Sequence, residues 1–216
     1  MPARLEWLGH DSFRITGGET VIYIDPWKLE GGAAADLILI THEHYDHCVP
    51  EDVARVLGPN TVVLGNVASL GKLKEAGVSA DLRVVKPGDR LEAAGVLIEV
   101  LPAYNLNKFR SPGVPFHPKE SGHVGYKLMV DGESIYHTGD SDNIPEFADV
   151  DCDILLIPVS GTYVMTAQEA VEAAKAVRPR KYAVPMHYGE IVGTEDDARL
   201  FSELYDGEVR ILSKVV

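Results

Sequence analysis

Three of the chain's eight histidines lie in one short segment, Thr41-His-Glu-His-Tyr-Asp-His47. An apolar run typical of a buried strand precedes this segment. Extended backbone projects the imidazoles of His42 and His44 to the same side, and Asp46 and His47 follow where the chain must turn. Imidazole nitrogens bind Zn²⁺ and related transition metals, and a carboxylate adds a harder ligand that also suits Mn²⁺ or Fe. This grouping of four ligand-type residues can support two adjacent metal ions, with a polar loop that carries incidental histidines as the alternative.

Two further ligand-type residues follow later apolar runs of strand length. Asp140 comes after the run 134–137, and His187 comes after the run 181–185. Taken alone, the Gly-Asp pair at 139–140 is typical of a turn, and a histidine at a strand end is more often hydrogen-bonded than metal-bound. A carboxylate is suited to bridge two cations, however, because each oxygen can bind one of them. The order of both residues after the histidine-rich segment favours metal binding.

Together these motifs resemble those of the metallo-β-lactamase-fold hydrolases. The matching features are His-x-His-x-Asp-His at 42–47, Gly-Asp at 139–140 and the late His187. Three segments narrow the resemblance to a compact branch that contains the ascorbate-6-phosphate lactonase-like proteins: WLGHDSF at 7–13, IYHTGD at 135–140 and VPMHYG at 184–189. N-acylphosphatidylethanolamine phospholipase D is similar more distantly. The similarity covers the chain from about residue 5 to residue 203.

The resemblance implies an α+β fold, specifically a four-layer αββα sandwich of the metallo-β-lactamase type, formed by residues 1–216 as a single domain. It also implies a dinuclear site at one edge of the two sheets, with Zn²⁺ or Mn²⁺ as the expected ions and Fe as an alternative. Matched by position, the expected ligands are His42 and His44 for the first ion, Asp46, His47 and His187 for the second, and Asp140 as a bridge.

One histidine that the resemblance implies for the first metal is missing from this chain. The aligned residue, in the segment Pro-Ala-Tyr-Asn at 102–105, is Asn105. An amide oxygen is a weaker zinc ligand than an imidazole nitrogen. His117 is the nearest substitute, because the segment 102–122 is long enough to fold back over the site. The sequence leaves open whether Asn105, His117 or neither completes the first metal site.

Other histidines and a cysteine have less specific interpretations. The resemblance places His10 near the metals, where it could orient substrate or donate a proton, with a structural hydrogen-bonded histidine as an equal alternative. His137 could orient a metal ligand or pack in the core, and His123 is interpreted as structural. Cys48 is interpreted as a small buried hydrophobe rather than a ligand.

The expected chemistry is metal-dependent hydrolysis. Two divalent cations lower the pKa of bound water from about 15.7 toward about 7, so a bound hydroxide aimed by Asp46 would attack an ester, lactone, amide or phosphodiester. The lactonase resemblance favours an anionic small molecule as substrate. Tyr104, Asn107, Lys108 and Arg110 could supply polar contacts to it, with a solvated loop face as the alternative. Two other functions stay open: a di-iron redox protein and a non-catalytic metal-binding module.

Composition limits the range of partners. The 20 Lys and Arg residues against 33 Asp and Glu residues give a net charge of −13, and the absence of a basic run argues against long nucleic acid. The apolar runs are shorter than the ~20 residues of a membrane-spanning helix, and the chain's first residues show no signal-peptide pattern. Two distant cysteines, Cys48 and Cys152, do not indicate a disulfide framework. We therefore expect a cytoplasmic protein with a small-molecule substrate and no membrane insertion, and leave homo-oligomerisation open.

Hydrophobic periodicity predicts strands followed by helices in each half of the chain. Helices are expected at 51–57, 67–76, 167–177 and 195–205, the third behind a capping-box signature at Thr166-Ala-Gln-Glu169. The predicted strands are 4–8, 12–15, 21–25, 37–40, 61–64, 83–85, 96–101, 123–130, 134–137, 154–158, 181–185 and 208–212. The proline-rich segment 102–122 is predicted to be a loop that forms part of the site or a lid.

Overall fold

The computed structural model describes residues 2–215. Within them the strands are β1 Arg4–Gly9, β2 Ser12–Gly17, β3 Thr20–Ile24, β4 Ala35–Leu39, β5 Leu57–Gly65, β6 Asp81–Val84, β7 Arg90–Ala93, β8 Val96–Pro102, β9 Phe109–Ser111, β10 Val114–Pro115, β11 Val124–Val130, β12 Glu133–His137, β13 Ile154–Pro158 and β14 Tyr182–Met186. The α-helices are α1 Pro50–Val56, α2 Val67–Glu75, α3 Ala167–Val177 and α4 Glu195–Leu204. None of these helices is both long enough and apolar enough to span a lipid bilayer.

The strands form two six-stranded mixed sheets and a small hairpin. The first sheet has the order β1-β2-β3-β4-β5-β6, in which β1 to β3 form an antiparallel meander and β4 to β6 continue in parallel. The second sheet has the order β14-β13-β12-β11-β8-β7, with β12, β13 and β14 parallel to one another. Strands β9 and β10 pair separately. Because parallel strands end on the same side of a sheet, several chain segments leave the sandwich at one common edge.

The two sheets face each other across an apolar core. Side chains alternate between the faces of a strand, so Ile22 and Ile24 of β3 enter this core while Tyr23 lies on the opposite face. Val100 of β8 and Tyr126 of β11 contribute to the core from the second sheet. Removal of this apolar surface from water is the main favourable contribution to folding.

Helices cover both outer faces of the paired sheets. Val53 of α1 and Leu73 of α2 join Tyr23 in a second apolar cluster on the outside of the first sheet. Helices α3 and α4 contact each other and lie against β13 and β14 of the second sheet. The layers therefore follow the order α-β-β-α, which confirms the predicted sandwich.

Helix α3 begins with the capping box that the sequence predicts. The Thr166 hydroxyl accepts a hydrogen bond from the Glu169 amide at 3.2 Å, and the Glu169 carboxylate accepts one from the Thr166 amide at 2.8 Å. Two backbone N–H groups at the helix start are thus satisfied by side chains. Along the helix, Ala170, Ala174 and Val177 are buried on the face towards the sheet.

Two sequence-based predictions differ from the structure, and one strand was not predicted at all. The predicted strand 208–212 is wrong: only an isolated bridge joins Val209 to Ala183 of β14, because the backbone pairing does not extend beyond it. Strand β7 was not predicted, since its sequence Arg-Leu-Glu-Ala is largely polar and it lies at a sheet edge. The segment 102–122 is not a simple loop, because it contains the hairpin β9–β10 and a 3₁₀ turn at Lys119–Ser121.

Candidate metal centre

Most of the predicted site residues meet at one edge of the sandwich. The turn between β1 and β2 carries His10, and the segment after β4 carries residues 42–47. Asp140 follows β12, and His187 follows β14. His117 comes from the segment between β10 and β11, where the hairpin has returned the chain to this edge. Five separate segments therefore place side chains in one buried volume, which is the arrangement expected at the ends of neighbouring strands.

His42, His44 and His117 form a group that we call the histidine cluster. Each residue offers a ring nitrogen within 4.8 Å of the others. His44 Nδ1 lies 3.3 Å from His117 Nε2. The Asp140 carboxylate borders this cluster, with Oδ2 at 3.3 Å from His117 Nε2 and 3.9 Å from His42 Nε2. The predicted substitute histidine thus lies beside the two histidines of the motif.

Asn105 supports His117 and does not belong to the cluster itself. Its Oδ1 accepts hydrogen bonds from the backbone N–H of His117 at 2.8 Å and from His117 Nδ1 at 3.0 Å. Its Nδ2 donates to the backbone oxygen of Tyr163 at 3.0 Å. Because His117 Nδ1 carries the donated proton, Nε2 presents its lone pair to the cluster. Asn105 therefore lies where the family resemblance implies a metal-binding histidine, but its amide orients His117.

Asp11, His47, Asp140 and His187 form a second group, which we call the carboxylate cluster. Ligand-type atoms of all four residues lie within 4.8 Å of one another, and all four are buried. His47 Nε2 lies 3.5 Å from Asp11 Oδ2 and 3.5 Å from Asp140 Oδ1. His187 Nε2 lies 3.9 Å from Asp11 Oδ2 and 3.3 Å from Asp140 Oδ2. Asp140 therefore contacts both clusters.

Asp46 and His10 lie beside the carboxylate cluster and form an overlapping group with His47 and His187. Asp46 Oδ2 is 3.8 Å from His47 Nε2 and 3.2 Å from His10 Nε2. Burial together with the nearby His187 lowers the pKa of His10 to about 4. Neutral His10 can therefore donate its Nε2 proton to the Asp46 carboxylate.

Hydrogen bonds behind the clusters determine which ring nitrogens face inward. The Asp25 carboxylate lies 2.8 Å from His47 Nδ1. The Thr41 hydroxyl lies 3.0 Å from His42 Nδ1, and the Ser160 hydroxyl lies 3.0 Å from His187 Nδ1. Partners of this kind fix the ring orientation of metal-binding histidines. They leave the Nε2 atoms of the three histidines directed to the centre.

Those inward atoms lack hydrogen-bond partners. Within residues 2–215, no partner is found for Nε2 of His42, His47 or His187, for either carboxylate oxygen of Asp11, or for Oδ1 of Asp140. Buried polar atoms are normally hydrogen-bonded, so a group of unpartnered nitrogen and oxygen atoms that face one another needs another partner. Nitrogen and carboxylate oxygen donors at these separations fit divalent transition-metal ions.

The charges of the carboxylate cluster perturb each other strongly. Burial alone would lower the pKa of His47, but the neighbouring Asp140 and Asp46 carboxylates raise it well above its ordinary value. Burial raises the pKa of Asp11 well above its ordinary value, and the charge of Asp140 adds to this effect although His187 opposes it. Several carboxylates buried at one point are costly unless positive charge accompanies them.

Three of the seven non-glycine residues with positive φ within residues 2–215 lie around the centre. The φ angles are 53° at His10, 44° at Asp25 and 61° at His187. These values lie in the left-handed region that residues other than glycine rarely adopt. Each such residue costs on the order of 1–3 kcal/mol and persists only where the surroundings hold it. Here the His187 N–H donates to the His10 carbonyl oxygen at 3.1 Å, and Trp7 Nε1 donates to the same oxygen at 2.8 Å.

The remaining residues with open interpretations have definite contacts. His137 Nδ1 accepts from the Gly139 N–H at 3.1 Å, so its Nε2 carries a proton and donates to the Asp11 carbonyl oxygen at 3.0 Å. His137 thus connects the backbone before Asp140 to the β1–β2 turn.

His123 and Cys48 contact groups outside the two clusters. His123 Nε2 lies 3.2 Å from the Glu43 carboxylate. Cys48 is buried in the apolar cluster beneath α1 and α2, where burial raises the pKa of its thiol to about 12.

A cleft of about 210 Å³ opens onto the two clusters. Its lining consists of donor-bearing residues and aromatic rings: His44, Asp46, His117, Asp140, Tyr45, Phe116 and Tyr163. Phe116 and Tyr163 pack edge to face with their ring centroids 4.8 Å apart.

The sequence suggested four loop residues as polar contacts to a substrate, and in the structure each of them binds a protein group. Tyr104 binds Glu146, Asn107 and Lys108 bind Glu169, and Arg110 binds the Phe116 carbonyl.

Asp11 is the one residue of the clusters that the sequence analysis did not select. It follows His10 directly in the Trp-Leu-Gly-His-Asp-Ser-Phe segment, and that position beside a candidate site histidine is the signal that was available. A turn between two strands brings the side chains of adjacent residues to one point, so both residues enter the centre.

Comparison with known proteins gives a consistent result. A family model described as the beta-lactamase superfamily domain matches residues 4–187. The chain is 33% identical over 194 residues to a UPF0173 metal-dependent hydrolase of Methanoculleus marisnigri, which covers 86% of this chain and 80% of that protein. A solved structure from Parabacteroides distasonis, described as a candidate metal-dependent hydrolase, is 32% identical with a TM-score of 0.84, covering 99% of this chain and 94% of that one.

The same fold occurs in a protein of different chemistry. CmlA of Streptomyces venezuelae, a diiron β-hydroxylase, is 17% identical with a TM-score of 0.72, and the alignment covers 98% of this chain and 53% of that one. At this identity the likeness shows the fold alone. The family match and the UPF0173 relative confirm the resemblance drawn from the motifs. The chain therefore belongs to the β-lactamase superfamily and, within it, to the UPF0173 metal-dependent hydrolases.

Proposed function

We propose that this hydrolase uses a dinuclear metal site to cleave an ester, lactone or phosphodiester bond of a small molecule. The observation that supports this most directly is the pair of donor clusters that both contact Asp140, a residue that lines the cleft. A shared carboxylate places two cations next to each other and offsets part of their mutual repulsion. Residues of both clusters line this cleft, so ions held there would be accessible to a substrate bound in it.

Each cluster is assigned one ion in this proposal. His42, His44 and His117 would hold the first ion, and Asp46, His47 and His187 would hold the second, with Asp140 shared between them. His117 therefore replaces the histidine that is missing at Asn105, and Asn105 holds it in place. The donor types suit Zn²⁺ or Mn²⁺.

The bound ions supply Lewis acidity and lower the pKa of a coordinated water toward about 7. The protein's own residues orient the reaction. Asp46 lines the cleft and is held by the His10 Nε2 proton, so it is placed to accept a proton from the attacking water. His10 keeps that carboxylate oriented, and its buried position excludes bulk water from this side of the site.

The cleft indicates what kind of molecule binds. Three aromatic residues, Tyr45, Phe116 and Tyr163, line it, and within residues 2–215 no lysine or arginine belongs to its lining. Aromatic faces favour planar or apolar groups. We therefore propose a substrate with a planar or apolar group beside the scissile bond, whose negative charge, where present, is bound by the metals.

The test compares metal-loaded wild-type protein with Asp46→Ala on three chromogenic substrates: a 4-nitrophenyl ester, an aromatic lactone and a bis-4-nitrophenyl phosphodiester. We expect metal-dependent turnover of at least one class, and a loss on the order of 10³-fold in Asp46→Ala, because proton transfer and metal ligation are lost together. His123→Ala is the matched control, because it removes a nearby histidine that binds Glu43. Two bound ions without turnover of any class, or full activity in Asp46→Ala, would contradict the proposal.

A further inference from the structure

Two buried aspartates flank the centre, and their environments differ. Asp25 accepts hydrogen bonds from the Thr41 N–H at 2.8 Å, from the Thr41 hydroxyl at 2.6 Å and from His47 Nδ1 at 2.8 Å. Asp11 has no exposed surface, and neither of its carboxylate oxygens has a hydrogen-bond partner within residues 2–215. An isolated buried carboxylate is far too costly to persist without a partner. The Asp11 side chain therefore requires a partner of another kind.

The position of the Asp11 carboxylate indicates that partner. Donor atoms about 2.0–2.2 Å from a tetrahedral ion lie about 3.3–3.6 Å from one another. Asp11 Oδ2 is 3.5 Å from His47 Nε2 and 3.9 Å from His187 Nε2, and Asp140 lies 3.5 Å and 3.3 Å from the same two nitrogens. Three of these four separations match tetrahedral edges, and the 3.9 Å separation to His187 Nε2 is longer, as expected where a shell of more than four donors includes wider angles. The turn backbone that carries Asp11 is itself held by the hydrogen bond from His137.

We propose that Asp11 is an additional metal ligand in the second site and makes that site oxygen-rich. The inference rests on the dinuclear site proposed above. With Asp11, Asp46 and Asp140, the second site contains three carboxylates and two imidazoles, whereas the first contains three imidazoles and the shared Asp140. Carboxylate oxygen is a hard donor, and Mn²⁺ favours hard oxygen donors over softer ones more strongly than Zn²⁺ does. Asp11 therefore increases the affinity of the second site for Mn²⁺ more than its affinity for Zn²⁺.

A neutral Asp11 that donates a hydrogen bond to Asp140 is the competing arrangement. The two models make different predictions for Asp11→Asn, because an asparagine amide keeps a donor towards Asp140 but loses the anionic ligand. In the competing model, Asp11→Asn retains wild-type metal affinity. In ours, it loses affinity at one site only.

The experiment titrates chelator-treated protein with Mn²⁺ and follows free Mn²⁺ by electron paramagnetic resonance, with a parallel Zn²⁺ titration by competition against a chromogenic chelator. Wild type is expected to bind two Mn²⁺ ions. Asp11→Asn is expected to keep one and to bind the other on the order of 100-fold more weakly, since even residues behind the ligands change metal affinity ~10–100-fold. The loss for Zn²⁺ is expected to be smaller.

Asp52→Asn is the matched control. Asp52 is a buried aspartate that accepts hydrogen bonds from the Lys28 and Leu29 backbone and from Arg55, away from both clusters. It is expected to bind two Mn²⁺ ions like wild type. The ion retained by Asp11→Asn reports that the variant is folded. Wild-type Mn²⁺ affinity at both sites of Asp11→Asn would overturn the inference.

A crystal structure of Mn²⁺-loaded wild type provides a second test that needs no variant. An Asp11 oxygen within about 2.0–2.4 Å of the second ion supports the inference, and an Asp11 side chain beyond contact with both ions overturns it. If wild type itself binds fewer than two ions, the dinuclear proposal fails. If wild type binds two ions and Asp11 contacts neither, only this inference fails.

Discussion

The histidine cluster and the carboxylate cluster are built from different kinds of structure. His42 and His44 follow β4 directly, but His117 reaches the histidine cluster only because the hairpin β9–β10 turns a long segment back. The carboxylate cluster takes its members from the β1–β2 turn and from the residues after β4, β12 and β14. One half of the centre therefore depends on a surface segment, and the other half depends on the ends of core strands.

The two clusters also differ in exposure and in their supporting contacts. His44 of the histidine cluster is half-buried and lines the cleft, although its partners His42 and His117 are as buried as His47 and His187. His47 is held by Asp25, and the backbones of His187 and His10 are joined by a hydrogen bond. Segments on the surface open at lower free energy than core elements. We therefore expect the first ion to exchange faster than the second and to be easier to remove.

The largest effect is expected from a change to Asp140, because both clusters contact this residue. Asp140→Ala removes a carboxylate that lies 3.3 Å from His117 Nε2 and 3.3 Å from His187 Nε2. We expect at most one weakly bound ion per chain and a loss of hydrolysis on the order of 10³-fold or more. Elemental analysis and turnover measurements check this. Two retained ions would show that Asp140 is not the bridge.

An intermediate effect is expected when only the histidine cluster is changed. His117→Ala should release about one ion per chain and leave the second, because His117 contributes to the first site alone. His123→Ala is the control, since that ring lies 5.6 Å from the His117 ring but binds Glu43. Metal content by elemental analysis distinguishes the two variants. Equal metal content in His117→Ala and wild type would assign His117 to the cleft wall, with no ligand role.

The smallest of these effects is expected from a contact behind the carboxylate cluster. Asp25→Asn weakens the hydrogen bond that orients His47, while its remaining oxygen can still accept from the Thr41 N–H. Loss of such a partner typically lowers metal affinity ~10–100-fold. We expect this loss at the second site only, measured by titration with Mn²⁺ or Zn²⁺. A weaker first site with an unchanged second site would contradict the assignment of His47.

The strands and helices could be predicted largely from local patterns, whereas their arrangement as an αββα sandwich was implied by the family resemblance. Strand-length apolar runs and the capping box before α3 are properties of short segments, so they survive without knowledge of the tertiary structure. The failures have the same origin. The polar edge strand β7 carries little hydrophobic signal, and the bridge at Val209 depends on whether β14 offers a partner for more than one residue. Whether a segment at the edge of a sheet forms a strand depends on which strands lie beside it in the folded protein.

The sequence by itself determined most residue types of the centre. The ligand-type residues of the segment 42–47 are close together in sequence, and Asp140 and His187 each follow a strand that the sequence predicts. It could not determine which residue fills the first site at the Asn105 position. Only the tertiary structure places His117 next to His42 and His44, since the hairpin that returns it has no strong local pattern. The same holds for Asp11, whose carboxylate becomes significant only because the fold buries it with no hydrogen-bond donor from residues 2–215 and directs it towards His47 and His187.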